Sequence, residues 1–221
     1  MVRGTRWKPW QHLLQPNNFV IKNNMLRLLL AIASLTFALT GQAQNPRVEM
    51  RTSLGVITLE LMPENAPNTV QNFLQYVKDG FYSGTIFHRV IADFMIQGGG
   101  FTPDMQQKKT RDAIKHEGGN GLKNQVGYIA MARTADAHSA TSQFFINVVD
   151  NQMLDFRGPG PQEIGYTVFG RVVSGLEVVS KIRNVPTTTK GPHQNVPVQT
   201  VLIERVTLLE TKPDAKAAPK K

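Results

Sequence analysis

The chain has no cysteine. A disulfide framework and any thiolate-ligated metal site are therefore excluded, an absence that suits an exported protein without requiring one. Acidic residues are missing from the first 43 positions, which carry Arg3, Arg6, Lys8, Lys22 and Arg27. The apolar run from Leu26 to Leu39 is broken by Arg27, Ser34 and Thr36 and is short for a membrane span, which needs about 20 residues. A basic start, a short apolar middle and small residues at Gly41 and Ala43 describe a secretory signal peptide with cleavage after Ala43. The competing reading is an uncleaved amphipathic or anchoring helix. A start at Met25 gives that peptide the usual length and makes residues 1–24 a gene-model extension. Strong charge of one sign is lacking once this segment is set aside. The 20 basic and 16 acidic residues after position 43 leave +4, against +9 for the whole chain. No known nucleic-acid motif accompanies the basic cluster Lys108, Lys109, Arg111 and Lys115. It reads as a solvated loop, and nucleic acid is not an expected partner.

What is present is an ordinary globular composition, 41% hydrophobic and 19% charged. The organisation expected is one domain, 46–210, followed by a Lys/Ala/Pro tail, 211–221, too polar to fold. Arg47–Leu54 and Val56–Met62 read as two strands around Gly55. Asn65-Ala66-Pro67 opens a helix, with Val70, Phe73, Leu74 and Val77 on one face and Gly80 as its left-handed cap. Strands are expected at Thr85–Val90, Met95–Gln97, Tyr128–Ala132, Gln143–Val149, Tyr166–Val173 and Val198–Leu209. A second helix is expected at Gly175–Arg183, with Leu176, Val179 and Ile182 on one side. Phe101–Asn124, Asp150–Gly165 and Thr187–Pro197 read as loops. There is no internal repeat. Many short strands with two helices predict a mainly β fold, a closed antiparallel barrel rather than a parallel sheet.

Two stretches concentrate the chemistry. Phe87-His88-Arg89-Val90-Ile91-Ala92-Asp93-Phe94-Met95-Ile96-Gln97-Gly98-Gly99-Gly100 sets one strong cation among large apolar residues. A core strand disfavours an unpaired charge, and a solvent face disfavours Phe94, Met95 and Ile96. Two readings remain: a groove for a greasy ligand with one polar group, or a plain strand whose Arg snorkels to its edge. In Ser142-Gln143-Phe144-Phe145-Ile146-Asn147-Val148, period-2 alternation puts Gln143 and Phe145 on one face, with Phe144, Ile146 and Val148 toward the core. Gly98-Gly99-Gly100 is no phosphate loop, because no Gly-Lys-Ser/Thr and no helix follow. It reads as close backbone packing. His138 and Ser142 lack a Gly-x-Ser-x-Gly elbow and an acid partner, so hydrolysis is not indicated. Strand alternation predicts that His88 points away from Arg89.

Phe87-His88-Arg89-Val90, Phe94-Met95-Ile96-Gln97-Gly98-Gly99 and Ser142-Gln143-Phe144-Phe145-Ile146, with Met131-Ala132-Arg133 and Tyr166-Thr167-Val168-Phe169-Gly170, resemble the signature of the cyclophilin-type peptidyl-prolyl cis-trans isomerases. The bacterial periplasmic members look most similar. The resemblance, from about Val48 to Leu209, implies an eight-stranded barrel with a helix over each end. It implies isomerisation of Xaa-Pro bonds in exported, hence periplasmic, proteins. A binding module that holds proline segments without relevant catalysis is the alternative. Arg89 matches the family's main catalytic residue, with Gln97 orienting it. Phe94, Met95, Phe145 and Leu154 resemble the proline pocket, with Gln143 nearby, and Ala132 and Arg133 match the edge that pairs with the peptide. Three departures concern substrate preference. Met153 stands where cyclosporin-sensitive members often carry Trp, Tyr166 where His is common, and Arg133 where Asn is usual. The loop 155–165 is also longer than expected. No cofactor or metal is implied. The partners expected are proline-containing polypeptides, with weak cyclosporin binding, a monomeric state and no membrane association after signal cleavage.

Overall fold

The computed structural model describes Met1 and residues 44–210. The expected signal peptide with its cleavage point and the 211–221 tail lie outside the described residues. Apolar residues at every second position build the strands β1 (Arg47–Thr52) and β2 (Gly55–Leu61). They pair as an antiparallel hairpin, Arg47 opposite Glu60 and Thr52 opposite Gly55. There follow α1 (Pro67–Lys78), β3 (Thr85–Ile91), β4 (Met95–Gly98), β5 (Tyr128–Met131), β6 (Phe144–Asn147), β7 (Val168–Ser174), α2 (Leu176–Arg183), β8 (Thr187–Lys190), β9 (His193–Pro197) and β10 (Leu202–Leu209). Eight strands close an antiparallel barrel in the order β1-β10-β3-β4-β6-β5-β7-β2, which leaves no free sheet edge in the barrel.

Strand alternation sorts the side chains. Val48, Met50, Ile57, Leu59, Ile96, Ile129, Phe144, Ile146, Phe169 and Ile203 meet in one buried core. Helix α1 packs against β10, and α2 against β2, β3 and β4. Both add to that core, α1 through Val70, Phe73, Tyr76 and Val77, and α2 through Val178, Val179 and Ile182. Phe73 is fully buried among Tyr82, Phe144 and Phe169, a burial that contributes roughly 1.5–3 kcal/mol. Pro67 occupies the first turn of α1, where its missing N–H costs nothing. Ala66 supplies no side-chain cap. Glu117, 48 residues away from Thr69, accepts from the backbone N–H of Thr69 (2.9 Å) and Asn68 (3.1 Å) instead. Gly80 follows the helix at φ 66°, a conformation that glycine takes without steric cost.

Several elements differ from the sequence reading. Residues 187–197, read as loop, form the hairpin β8–β9, whose strands pair Thr187 with Pro197 and Thr188 with Val196. Of the hairpin's residues only Val196 and Pro197 are buried, so no apolar alternation announces it. The strand read as starting at Tyr166 starts at Val168, because the Tyr166 N–H donates to the Leu154 carbonyl rather than to a neighbouring strand. The last strand starts at Leu202 rather than Val198. Leu176, at the first position of α2, is half exposed, and Val178 takes its place on the buried side. Lys108 and Arg111, read as solvated, reach back to α1 and its exit. Lys108 donates to the Phe81 carbonyl and lies over its ring, and Arg111 pairs with Asp79.

Candidate functional site

The position of Arg89 depends on one irregularity. Phe87 pairs with Gly98 and Arg89 with Gln97, so two residues of β3 answer one of β4. Such a bulge re-aims the side chains that follow it. Phe87 and Val90, three apart, both enter the barrel core. His88 and Arg89 then line the same outer cavity. Strict alternation predicts opposite faces for them, and the bulge is why that expectation fails.

Beside Arg89, the outer faces of β4, β6, β5 and β7 carry a second apolar cluster. Met95, Ala130, Phe145 and Val168 are buried in it, and Phe94, Leu154 and Tyr166 pack against it. A cavity of about 270 Å³ opens here. Phe94, Met95, Phe145, Leu154 and Tyr166 supply its apolar lining, and Arg89, Gln97, Ala132 and Arg133 the remainder. Of the expected site residues, Gln143 and Met153 do not line it. Gln143 stands behind: its Oε1 accepts from Gln97 Nε2 at 3.0 Å, and Gln97 Oε1 accepts from Arg89 Nη1 at 3.3 Å. A Cβ at Gly100 would lie 2.5 Å from Gln143 Cγ, so the third glycine of the triplet makes room for this brace. Met153 lies in the 3-10 turn Gln152–Leu154 and is 66% exposed.

Arg133 does not present its donors freely. Its Nε donates to the Gly165 carbonyl at 2.9 Å and its Nη1 to the Thr134 carbonyl at 2.8 Å. The guanidinium sits 4.7 Å over the Tyr166 ring, and Tyr166 meets Phe145 edge-on at 5.4 Å. Arg133 thus fixes one wall of the cavity. Arg89, by contrast, has no carboxylate partner among the described residues, whose ion pairs lie elsewhere. Burial, with the charges of His193 and Arg89 acting in the same direction, lowers the His88 pKa to about 4. At neutral pH it stands as an uncharged neighbour of the guanidinium.

Sequence reading missed the polar scaffold behind the apolar seat. Asn151 Nδ2 donates to the Phe94 carbonyl at 2.8 Å and to Asn147 Oδ1 at 2.7 Å. Asn124 Nδ2 donates to the Leu154 carbonyl at 2.9 Å, and its backbone N–H to Asp155 Oδ1 at 2.7 Å. Two cavity residues are therefore held through their backbones by buried amides. The only signal available was the number of Asn residues at 124, 147 and 151 beside apolar strands. A larger cleft, about 690 Å³, lies between α1 and β10. It combines apolar residues with Lys78 and two glutamines but has no braced cation, so size alone does not mark the chemistry. The smaller cavity can seat a compact apolar ring while a fixed guanidinium meets the adjoining amide.

A closed eight-stranded barrel with two helices and a guanidinium-edged apolar seat on its outer wall has the architecture of a cyclophilin. The family model described as "Cyclophilin type peptidyl-prolyl cis-trans isomerase/CLD" matches residues 47–208, and the chain belongs to that family. It is 58% identical over 162 residues to peptidyl-prolyl cis-trans isomerase cyp18 of Streptomyces antibioticus, covering 73% of this chain and 98% of the relative. It is 55% identical over 163 residues to peptidyl-prolyl cis-trans isomerase B of Escherichia coli K12, covering 74% and 99%. Among solved structures, a Cryptosporidium parvum cyclophilin type peptidyl-prolyl cis-trans isomerase, crystallised in the presence of the dipeptide Ala-Pro, superposes with a TM-score of 0.64 at 26% identity. The match covers 75% of this chain and 99% of that one. The protein is an enzyme, a peptidyl-prolyl cis-trans isomerase.

Proposed function

We propose that this isomerase turns Xaa-Pro bonds in exported proteins and assists their folding in the periplasm, with Arg89 and Gln97 as its catalytic pair. The barrier to rotation, about 18–20 kcal/mol, comes from resonance that gives the C–N bond partial double-bond character. No bond breaks, so the work is to grip the ring, exclude water from the amide and favour the twisted state. When resonance is lost, the proline nitrogen becomes a hydrogen-bond acceptor. A guanidinium placed beside it stabilises the twisted amide more than the planar one, and only that difference accelerates the reaction. Each 1.36 kcal/mol of such preference is worth about tenfold. Phe94, Met95, Phe145 and Leu154 seat the ring, Tyr166 walls it, and Ala132 and Arg133 offer main-chain groups to the peptide. The observation that carries this reading is the lining of one cavity by Arg89, Phe94 and Phe145, with Gln97 bonded to the guanidinium. That the Cryptosporidium parvum enzyme was crystallised in the presence of the dipeptide Ala-Pro supports a proline-containing ligand.

The enzyme acts as a monomer, after removal of residues 1–43. The test is cell fractionation with mass measurement. A periplasmic protein beginning at Gln44, which speeds a proline-limited refolding phase of an exported protein, is expected. A cytoplasmic protein that keeps residues 26–43 contradicts the export reading. Met153 leaves the cavity without an indole beside it, so cyclosporin inhibits weakly. Titration should give micromolar inhibition, and nanomolar inhibition contradicts this.

A further inference from the structure

The groove does not end at Arg89. Arg89 belongs to two cavities at once: the apolar seat and a polar one of about 340 Å³ that it shares with His88, Phe101, His193 and the amides Gln194 and Asn195. Pro192 and His193 belong in turn to a third cavity that runs on to Lys190. The three form a chain that leaves the seat at Arg89, on the side away from Ala132 and Arg133. Its far wall is the hairpin β8–β9, which packs against β3. Phe101 holds this wall to the barrel: its ring lies 4.7 Å from His88 and 5.2 Å from His193.

The chemistry of this extension differs from that of the seat. The polar cavity is lined by one guanidinium, two imidazoles and two amides and contains no carboxylate. Lys190 continues the same sign, and Asp104 enters only with the third cavity. The guanidinium of Arg89 forms no ion pair among the described residues. Its outer donors and the imidazole of His193 therefore face space that suits an anion bonded through N–H groups.

We infer that the cavity between Arg89 and His193 is a specificity subsite for an acidic side chain of the substrate, one or two residues from the proline on one side of it. This rests on the reading of Arg89 and its neighbours as the proline site. An acidic residue there is bonded equally in the planar and twisted states, so it lowers KM and leaves kcat almost unchanged. His193 is then a specificity-determining residue.

The experiment uses the mature protein and proline peptides that carry Glu, Ala or Lys two residues before the proline, or two residues after it. Isomerisation is followed by line-shape or exchange NMR. The expected result is a preference for Glu over Lys of about fivefold in kcat/KM, arising in KM and present on one side only. His193→Ala, checked for folding by its thermal melt, should reduce that ratio to near unity. Glu and Lys peptides turned over within about twofold of each other on both sides would overturn the inference. So would a preference that survives in His193→Ala. Arg89→Ala separates this from the underlying reading. Loss of turnover on the Ala peptide together with an absent Glu preference in wild type sinks the subsite alone. Full turnover by Arg89→Ala sinks the assignment of the proline site itself.

Discussion

At the scale of single residues, position 88 matters as much as 89. The bulge gives β3 an extra residue, and that residue is a histidine buried to 6% exposure against Phe101. Its pKa is about 4 in the folded protein, against 6.5 for the free side chain. Between these values the unfolded chain holds the proton and the folded chain does not. The contribution of neutral His88 is therefore complete above about pH 6.5 and is lost as pH falls toward 4, about 3 kcal/mol in all. Urea denaturation between about pH 7 and 4 should show wild type losing stability more steeply than His88→Asn. Parallel curves would contradict this account. Residue types alone left Arg89 between a groove and a plain strand edge; the resemblance of the segments around Arg89, Phe94 and Phe145 chose the groove, and the structure brings these residues to one cavity. The bulge was not, because nothing in Phe87-His88-Arg89-Val90 distinguishes it from plain alternation. The pairing of Phe87 with Gly98 and Arg89 with Gln97 reveals it, and Phe87 and Val90 both enter the core as a result.

Among the elements, α1 shows how a helix can be capped from elsewhere. Its N-terminus has Ala66 and Pro67, which supply no side-chain acceptor, and no acid lies in its first turn. Glu117 fills that role: its carboxylate also accepts from Thr69 Oγ1 at 2.7 Å, while the Glu117 N–H donates to Thr167 Oγ1. Glu117 thus ties the long 101–124 connection to the helix through its carboxylate and to the residue before β7 through its backbone N–H. Glu117→Ala should cost about 1–2 kcal/mol in equilibrium unfolding, with Glu117→Gln intermediate. A loss under about 0.3 kcal/mol would show that water replaces the carboxylate freely. The helices and barrel strands were legible because their periodicity reports burial on one side. The hairpin β8–β9 was invisible because its strands are held by backbone pairing and largely face solvent. Glu117 was invisible because a contact across 48 residues leaves no local pattern.

For the molecule as a whole, barrel closure converts two ordinary strand faces into two environments. The inner faces make the core. The outer faces of four adjacent strands, where Met95, Ala130, Phe145 and Val168 lie, make a second, shallower apolar surface. Arg89 stands at its edge and Gln97 and Gln143 brace it from behind. The hairpin β8–β9 continues the surface past Arg89 with polar groups. This division explains why the seat needs a rigid barrel rather than a loop: its floor is the reverse side of core strands, and the core holds them in place. The measurement that tests the central claim most directly is the isomerisation rate of a short Xaa-Pro peptide with wild type and Arg89→Ala, with peptide affinity measured in parallel. If the guanidinium acts on the twisted amide, the variant loses roughly 10²- to 10³-fold in rate while binding weakens only about threefold. Equal rates for the two proteins would contradict the account.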